Sequence, residues 1–330
     1  MRNFINIIII VFFAFTGFAQ TGDIKINHTD ATGLKQGLWK KNYPDGKPRY
    51  EGNFVNDIAV GTFKYYYPVT SELSTESEFY DNGKKTRTKI YYKSGGLKAE
   101  GIFNNEKKDG LWKYYNEEKI LISEEFYLNQ KKHGTWKDYY IKGSLSMERN
   151  WENGMENGLW KEYFENGNLK AEKTYKAGKL EGLVTYYYPD GTKSMQGKYI
   201  NSKKNGEWLF YLPDGNIKLR EEYKEGIVIK YKKENGLFEE FYSNNLLKGE
   251  VRYKNGKKEG EFKEYYEMDL KKEPGKEEGH EDEQIGQMNR QKLKIEGRYL
   301  NDKLNGKIIY YNPDGSVQKE EIYKEGVKQE

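Results

Sequence analysis

Cysteine is absent from the 330-residue sequence. Its absence excludes disulfide bridges and a lipid anchor attached to a cysteine. A surplus of one charge is also missing, because 56 Lys and Arg are interspersed with 52 Asp and Glu, for a net charge of +4. Nucleic-acid binding requires a basic patch, so no nucleic-acid partner is predicted.

Long apolar runs are missing everywhere except at the N-terminus. Residues 1–19 contain Arg2, the apolar run Ile7–Phe15 and the small residues Gly17 and Ala19. This pattern is typical of a secretory signal peptide that is cut after Ala19. The run is shorter than the roughly 20 residues that span a bilayer, although an uncleaved membrane anchor is the alternative. We therefore expect an exported protein, periplasmic or secreted, with a lead-in over residues 20–36.

The mature chain is poor in apolar residues but rich in aromatic ones. Hydrophobic residues make up 35% and charged residues 33% of the sequence, a balance that normally indicates disorder. Aromatic residues nevertheless make up 15%, together with 35 glycines. This combination favours an elongated fold with a thin aromatic core and a large wetted surface.

A repeat of 24 residues, marked by glycine, fills residues 37–330. Six extra residues precede Gly236 and 22 precede Gly306. The second insertion, over residues 268–292, is rich in acidic residues and predicts a disordered loop. The eleven units start at Gly37, Gly61, Thr86, Gly110, Gly134, Gly158, Gly182, Gly206, Gly236, Gly260 and Gly306.

Each unit has the residue pattern of a β-hairpin. Aromatic residues recur two, five and seventeen steps after the unit glycine, a turn glycine nine steps after it and a glutamate fourteen steps after it. Asp-Gly and Asn-Gly turns, as at Gly167 and Gly191, indicate primed hairpin turns. Alternation in the second strand puts Ala171 and Tyr175 on a packed face and Glu172 on a wetter one. The fold predicted is all-β: an elongated, twisted antiparallel sheet of stacked hairpins.

The unit G-x-W-x-x-Y-x-x-x-G-x-L-x-x-E-x-x-Y, seen over Gly158–Tyr175, resembles MORN-type repeats. It is most similar to the second MORN variant found in bacterial YwqK-family antitoxin proteins. The resemblance implies stacked hairpins and a role in protein interaction or scaffolding, with neutralisation of a toxin as one such role. It also implies binding to acidic lipids, which is linked to some MORN proteins. The export signal departs from that pattern, since an antitoxin usually meets its toxin in the cytoplasm.

No constellation for catalysis or for a cofactor stands out. His133 occupies a turn position, His28 lies in the lead-in, and His280 lies in an acidic stretch without the spacing of a calcium loop. Glycoside hydrolysis needs one unique carboxylate pair, whereas this glutamate recurs in nine units. The repeated glutamates are better explained as cross-strand partners of lysines such as Lys98, Lys170 and Lys218. We predict no enzyme, no cofactor and no metal.

The first-strand aromatics are the candidate binding residues, if they are exposed, because aromatic side chains dominate binding hot spots. The alternative is that they form the thin core. We predict that the protein is exported and acts as a protein-interaction or scaffolding module, with an antitoxin-like or immunity-like role as a narrower form of this prediction. An envelope polysaccharide or a membrane surface is the alternative partner. The candidate residues are Trp112, Trp136, Trp160, Trp208, Tyr115, Tyr139, Tyr163, Tyr187 and Tyr211.

Overall fold

The computed structural model describes residues 25–268 and 291–330. The predicted signal peptide lies outside the described residues, and so does the predicted insertion apart from residues 268, 291 and 292. Within the described ranges the chain is all-β, and its strands form antiparallel hairpins. The chain divides into two compact units, Met1–Lys107 and Lys108–Glu330.

The first unit contains three of the hairpins, preceded by a short strand that pairs with the first of them. Its strands are β1 (His28–Thr29), β2 (Lys35–Asn42), β3 (Pro48–Val55), β4 (Ile58–Tyr66), β5 (Leu73–Tyr80), β6 (Lys85–Tyr91) and β7 (Leu97–Asn104).

The described residues of the second unit form eight hairpins. These belong to two sheets, and the chain passes from the first sheet to the second between β21 and β22. The strands before that point are β8 (Lys107–Tyr115), β9 (Leu121–Leu128), β10 (Lys131–Lys132), β11 (Gly134–Tyr139), β12 (Leu145–Glu152), β13 (Met155–Glu156), β14 (Gly158–Tyr163), β15 (Leu169–Lys176), β16 (Lys179–Leu180), β17 (Gly182–Tyr187), β18 (Lys193–Ile200), β19 (Lys203–Tyr211), β20 (Ile217–Lys224) and β21 (Ile227–Lys233). The strands after it are β22 (Gly236–Phe241), β23 (Leu247–Lys254), β24 (Lys257–Tyr265), β25 (Leu293–Leu300), β26 (Lys303–Leu304), β27 (Gly306–Tyr311), β28 (Val317–Lys324) and β29 (Val327–Lys328).

The hairpin β14–β15 shows how the repeat produces this structure. Gly158 pairs with Tyr175 and Trp160 with Lys173, but the register shifts between Glu162 and Tyr163. The bulge leaves Lys170 of the facing strand without a partner, whereas Trp160 and Tyr163 are three residues apart on β14 and therefore point to opposite faces. The eleven sequence units correspond to eleven such hairpins within residues 25–268 and 291–330, so the predicted all-β fold of stacked hairpins is confirmed.

The two kinds of turn differ from each other, and the first differs from the sequence prediction. At the turn after the first strand, Gly191 has a φ of 89° and Asp190 keeps a negative φ. One left-handed residue is typical of a type I turn followed by a bulge rather than of a primed turn. At the turn after the second strand, Asn201 and Ser202 have φ of 50° and 63°. The primed turns therefore lie between units and not within them.

Neighbouring hairpins are held together by a tyrosine column that the sequence analysis did not single out. The hydroxyl of Tyr188 donates to the backbone carbonyl of Tyr211 at 2.7 Å. Tyr140 makes the same bond to the carbonyl of Tyr163 in the next repeat, also at 2.7 Å. Each bond spans 23 residues, one repeat less one residue, so it ties one hairpin to the next.

Candidate binding surface

The tryptophan column forms the core of the sheet. Trp112 and Trp208 have no exposed surface, and Trp136 retains 4%. Trp160 is half-buried and lies against Tyr175, with 4.3 Å between ring centroids. The alternative, that these tryptophans form the core, therefore holds for Trp112, Trp136 and Trp208, while Trp160 is half-buried. We call the side of the sheet that carries them, with Ala171 and the second-strand aromatics, the aromatic face.

Burial of this column has a simple packing cause. The ring of Trp208 lies between Tyr199 and Tyr223, at centroid distances of 5.1 and 6.0 Å. Below it, on the preceding hairpin, Gly197 leaves room for the indole. In a polar chain the apolar area of these rings is the main source of hydrophobic stabilisation, at about 25 cal/mol for each Å² buried.

The tyrosine column of the candidate set lies on the opposite side, which we call the carboxylate face. Tyr115, Tyr139, Tyr163, Tyr187 and Tyr211 are all half-buried. The hydroxyl of Tyr139 donates to Glu124 at 2.8 Å, and that of Tyr163 donates to Glu148 at 3.0 Å. The repeated glutamate is therefore the acceptor for the tyrosine of the following unit.

These contacts change the titration of the tyrosines. Burial, followed by the hydrogen bonds to Glu124 and Glu148, raises the pKa of Tyr139 and of Tyr163 from 10.0 to about 12. A raised pKa means that the folded state holds the proton more tightly than the unfolded state. The associated stability is complete below pH 10 and is lost as the pH rises towards about 12.

We expect Tyr163→Phe to make the loss of stability between pH 10 and about 12 less steep. At neutral pH the same variant should be less stable by about 1 kcal/mol, the net value of one hydrogen bond. Denaturant titration at a series of pH values measures both effects. Tyr231→Phe is the control, since Tyr231 is 64% exposed; an equal change of slope in both variants would contradict the assignment.

The glutamates form ion pairs with different lysines from those predicted. Lys40 lies 3.1 Å from Glu51, and Lys137 lies 3.9 Å from Glu148. These lysines stand three steps after the unit glycine, directly across the hairpin from the glutamate. The predicted partners Lys98, Lys170 and Lys218 instead place their ammonium groups over the rings of Tyr92, Phe164 and Phe238. The prediction was wrong because the lysines named lie on the second strand, as the glutamate does, for example Lys170 and Glu172 on β15.

A second lysine column covers the aromatic core. The Nζ of Lys132 lies 4.5 Å from the ring centroid of Trp136 and 4.2 Å from that of Trp151. Lys204 covers Trp208 and Tyr223 in the same way, at 4.3 and 4.7 Å. Burial lowers the pKa of Lys204. Sequence reasoning missed these lysines, although they recur two residues before the unit glycine.

An exposed apolar cluster interrupts the otherwise charged surface of hairpin β8–β9. Leu111 and Phe126 pair directly across the hairpin on the carboxylate face, and Leu128 follows on the same face. Ile122 lies at the bulge on the same strand as Phe126, and the Lys113–Glu124 pair lies between it and the other three residues. Their exposed fractions are 45%, 38%, 44% and 36% in that order. We call these four residues the apolar patch.

The patch is specific to one unit of the repeat. Four repeats later, the residues at the same steps are charged in every case: Glu207, Lys218, Glu222 and Lys224. Packing within the hairpin therefore does not require apolar residues there. Exposed apolar residues that cluster are typical of interaction sites. A comparison of the units step by step could have found this patch from the sequence.

Metal sites, membrane-spanning helices and the histidine His133 were considered in the part of the chain that the structure describes. Residues 25–268 and 291–330 contain no group of three or more His, Asp or Glu side chains placed to hold a metal ion. None of the described segments is a helix long and apolar enough to cross a membrane. His133 follows the short strand β10, and its backbone N–H donates to the carbonyl of Phe126 at 2.9 Å.

Six segments of the chain match the MORN repeat variant: residues 35–56, 108–129, 156–177, 180–201, 204–225 and 304–325. These six segments are MORN-variant repeats. Each matched segment begins two residues before a unit glycine, at the position of the covering lysine in three of them, and ends in the turn between units. The MORN-variant segments thus coincide with the hairpins and include the apolar patch.

Among curated proteins, none matches the sequence. Solved structures with some similarity include a TcdB2–TccC3–Cdc42 complex, at 12% identity over 90% of this chain and 16% of the other, with a TM-score of 0.18. A Tc holotoxin pore of Photorhabdus luminescens is similar at 13% identity over 84% of this chain and 15% of the other, with a TM-score of 0.18. This chain thus spans about a sixth of their length, and scores this low do not bear on its fold or function.

Proposed function

We propose that this protein is an exported, non-enzymatic interaction module that binds another protein through the carboxylate face of its MORN-variant repeats. The observation that carries the proposal is the apolar patch. Four large apolar side chains of one hairpin are partly exposed at positions where another unit carries only charges. The aromatic face is less suited to the role, because its tryptophans are already packed.

Charged residues around the patch supply the polar rim that such an interface needs. Lys113 and Glu124 form an ion pair at 3.7 Å on the same hairpin, with 39% and 22% of their side chains exposed. Exposed ion pairs of this kind contribute little to stability. Their role is instead in specificity, because a partner must present charges that complement them. A protein surface with apolar residues ringed by both charges fits this arrangement.

Substitution within the patch should weaken binding without unfolding the sheet. We expect Phe126→Lys to reduce capture of the partner at least about tenfold, since a hot-spot residue contributes about 2 kcal/mol or more. Thr174→Lys is the matched control, because Thr174 stands at the same step two units later and is exposed. The measurement is capture of envelope proteins on the immobilised chain, followed by direct binding with the purified partner.

Three results would contradict the proposal. The first is equal capture by Phe126→Lys and the control. The second is binding only to a glycan panel, which would support the polysaccharide alternative. The third is turnover of a hydrolase substrate that stops when one repeated glutamate is replaced. Fractionation of cells that express the full chain tests export directly.

Antitoxin-like neutralisation is a narrower version of the same proposal. It rests on the resemblance to YwqK-family proteins and on the interaction surface that neutralisation would need. The partner would then be a toxin. A toxin gene adjacent to the gene for this chain, and protection of cells that carry both, would support that version. Loss of protection in Phe126→Lys would place the contact on the apolar patch.

A further inference from the structure

Strand β21 leaves one edge of its sheet open in the described part of the chain. Within a regular hairpin the first strand is covered by its own second strand, as β19 is by β20. β21 pairs with β20 on one side, and its own second strand is missing. Instead, the chain passes through Glu234 into β22, which pairs with β23 in the other sheet. The turn after β23 contacts this connecting segment, since the N–H of Gly256 donates to the carbonyl of Glu234 at 2.8 Å.

The side chains of this open strand are apolar and exposed. Ile227, Ile229 and Tyr231 are 70%, 57% and 64% exposed, and Val228 is 41% exposed. An edge strand offers a row of backbone donors and acceptors to any strand of suitable length. Apolar side chains on such a strand make pairing more favourable, because they too are removed from water.

We propose that β21 pairs antiparallel with β21 of a second copy of this chain, which gives a dimer with two-fold symmetry. The charges along the strand favour this occupant. Lys230 and Lys232 lie in its second half, whereas Glu225 lies in the turn two residues before its first residue. Antiparallel pairing places the start of each strand beside the end of the other, so that Glu225 of one copy lies towards Lys232 of the second.

Other arrangements of two copies lack this complementarity. Parallel pairing would place Lys230 and Lys232 beside the same lysines of the second copy, which is unfavourable. Glu225 is available for the new contact, because its ion pair with Lys203 is long, at 3.9 Å, and both side chains are exposed. Antiparallel pairing also brings the apolar residues of the two strands together near the symmetry axis.

Single cysteines test the pairing directly, because the chain contains none of its own. The variants are Ile227→Cys, Ile229→Cys and Tyr231→Cys in the full chain, and Leu183→Cys is the control. Leu183 is 59% exposed, but its strand β17 is paired on both sides. Residues that face each other across antiparallel strands lie about 5 Å apart, within reach of a disulfide.

We expect at least one edge variant to form disulfide-linked dimers about tenfold faster than Leu183→Cys under the same oxidant. Sedimentation of the unmodified chain should show a reversible dimer, and Ile229→Lys should weaken it at least about tenfold. A monomeric chain at all accessible concentrations would overturn the proposal. So would a dimer that Ile229→Lys leaves unchanged, or edge cysteines that react no faster than the control. None of these results depends on the apolar patch.

Discussion

Trp208→Ala is expected to lower the free energy of unfolding by about 3–5 kcal/mol, the range for removing a large buried aromatic side chain. Trp208 has no exposed surface and contacts the rings of Tyr199 and Tyr223. Lys204 lies over the same indole, so the substitution also removes a cation–π contact. Equilibrium unfolding in denaturant measures the loss.

The effect should be local as well as large. In a stacked repeat each hairpin contacts mainly its neighbours, so that β18, β19 and β20 should lose amide protection before distant strands. Leu183→Ala is the control and should change stability by no more than about 0.5 kcal/mol, because Leu183 is 59% exposed. A loss below about 1 kcal/mol for Trp208→Ala would show that the column is not the core.

The hairpins could be predicted from the sequence because their determinants are local. Glycines such as Gly158 and Gly191 take positive φ, and the aromatic at step seventeen, Tyr175 in one unit, always lies across from the unit start. Alternation alone then assigned Ala171 and Glu172 to opposite faces. Each of these features depends on residues within one repeat.

The burial of the first strand could not be predicted in the same way. Alternation puts Trp160 and Tyr163 on opposite faces but does not say which of the two faces is buried. Whether a tryptophan is buried depends on the neighbouring hairpin, where Gly197 makes room for Trp208. That contact lies between units, and a pattern within one unit does not contain it.

Strand β21 was missed for a related reason. Counting 24 residues from Gly206 places Lys230 and Lys232 where other units have glycine and an aromatic ring. The unit therefore failed the pattern and was interpreted as an insertion of six residues. Its β-branched residues Ile227, Val228 and Ile229 nevertheless favour a strand, which pairing with β20 completes.

Gly197→Ala provides a separate test of how the hairpins fit together. A Cβ at this position would lie 2.1 Å from Cδ2 of Trp208. The backbone of Gly197 is not left-handed, so an alanine meets no φ strain there. Alanine also restricts the unfolded chain, which by itself would stabilise the fold by about 0.4–1 kcal/mol. The overlap with a buried ring should outweigh this gain and leave a net loss of about 1–3 kcal/mol.

Gly297→Ala is the matched control for that substitution. Its Cβ would lie 2.3 Å from Cδ1 of Ile308, the end of a flexible side chain, and 3.0 Å from Cε1 of Phe262, a tight contact but not an overlap as close as that with Trp208. Ile308 can change rotamer, whereas the fused rings of Trp208 cannot shorten, so Gly297→Ala should lose less stability than Gly197→Ala. In the double variant Gly197→Ala with Trp208→Leu the two losses should be clearly less than additive, because the leucine removes the overlap. Additive losses, or a Gly197→Ala variant as stable as the unmodified chain, would mean that the indole does not rest on the glycine.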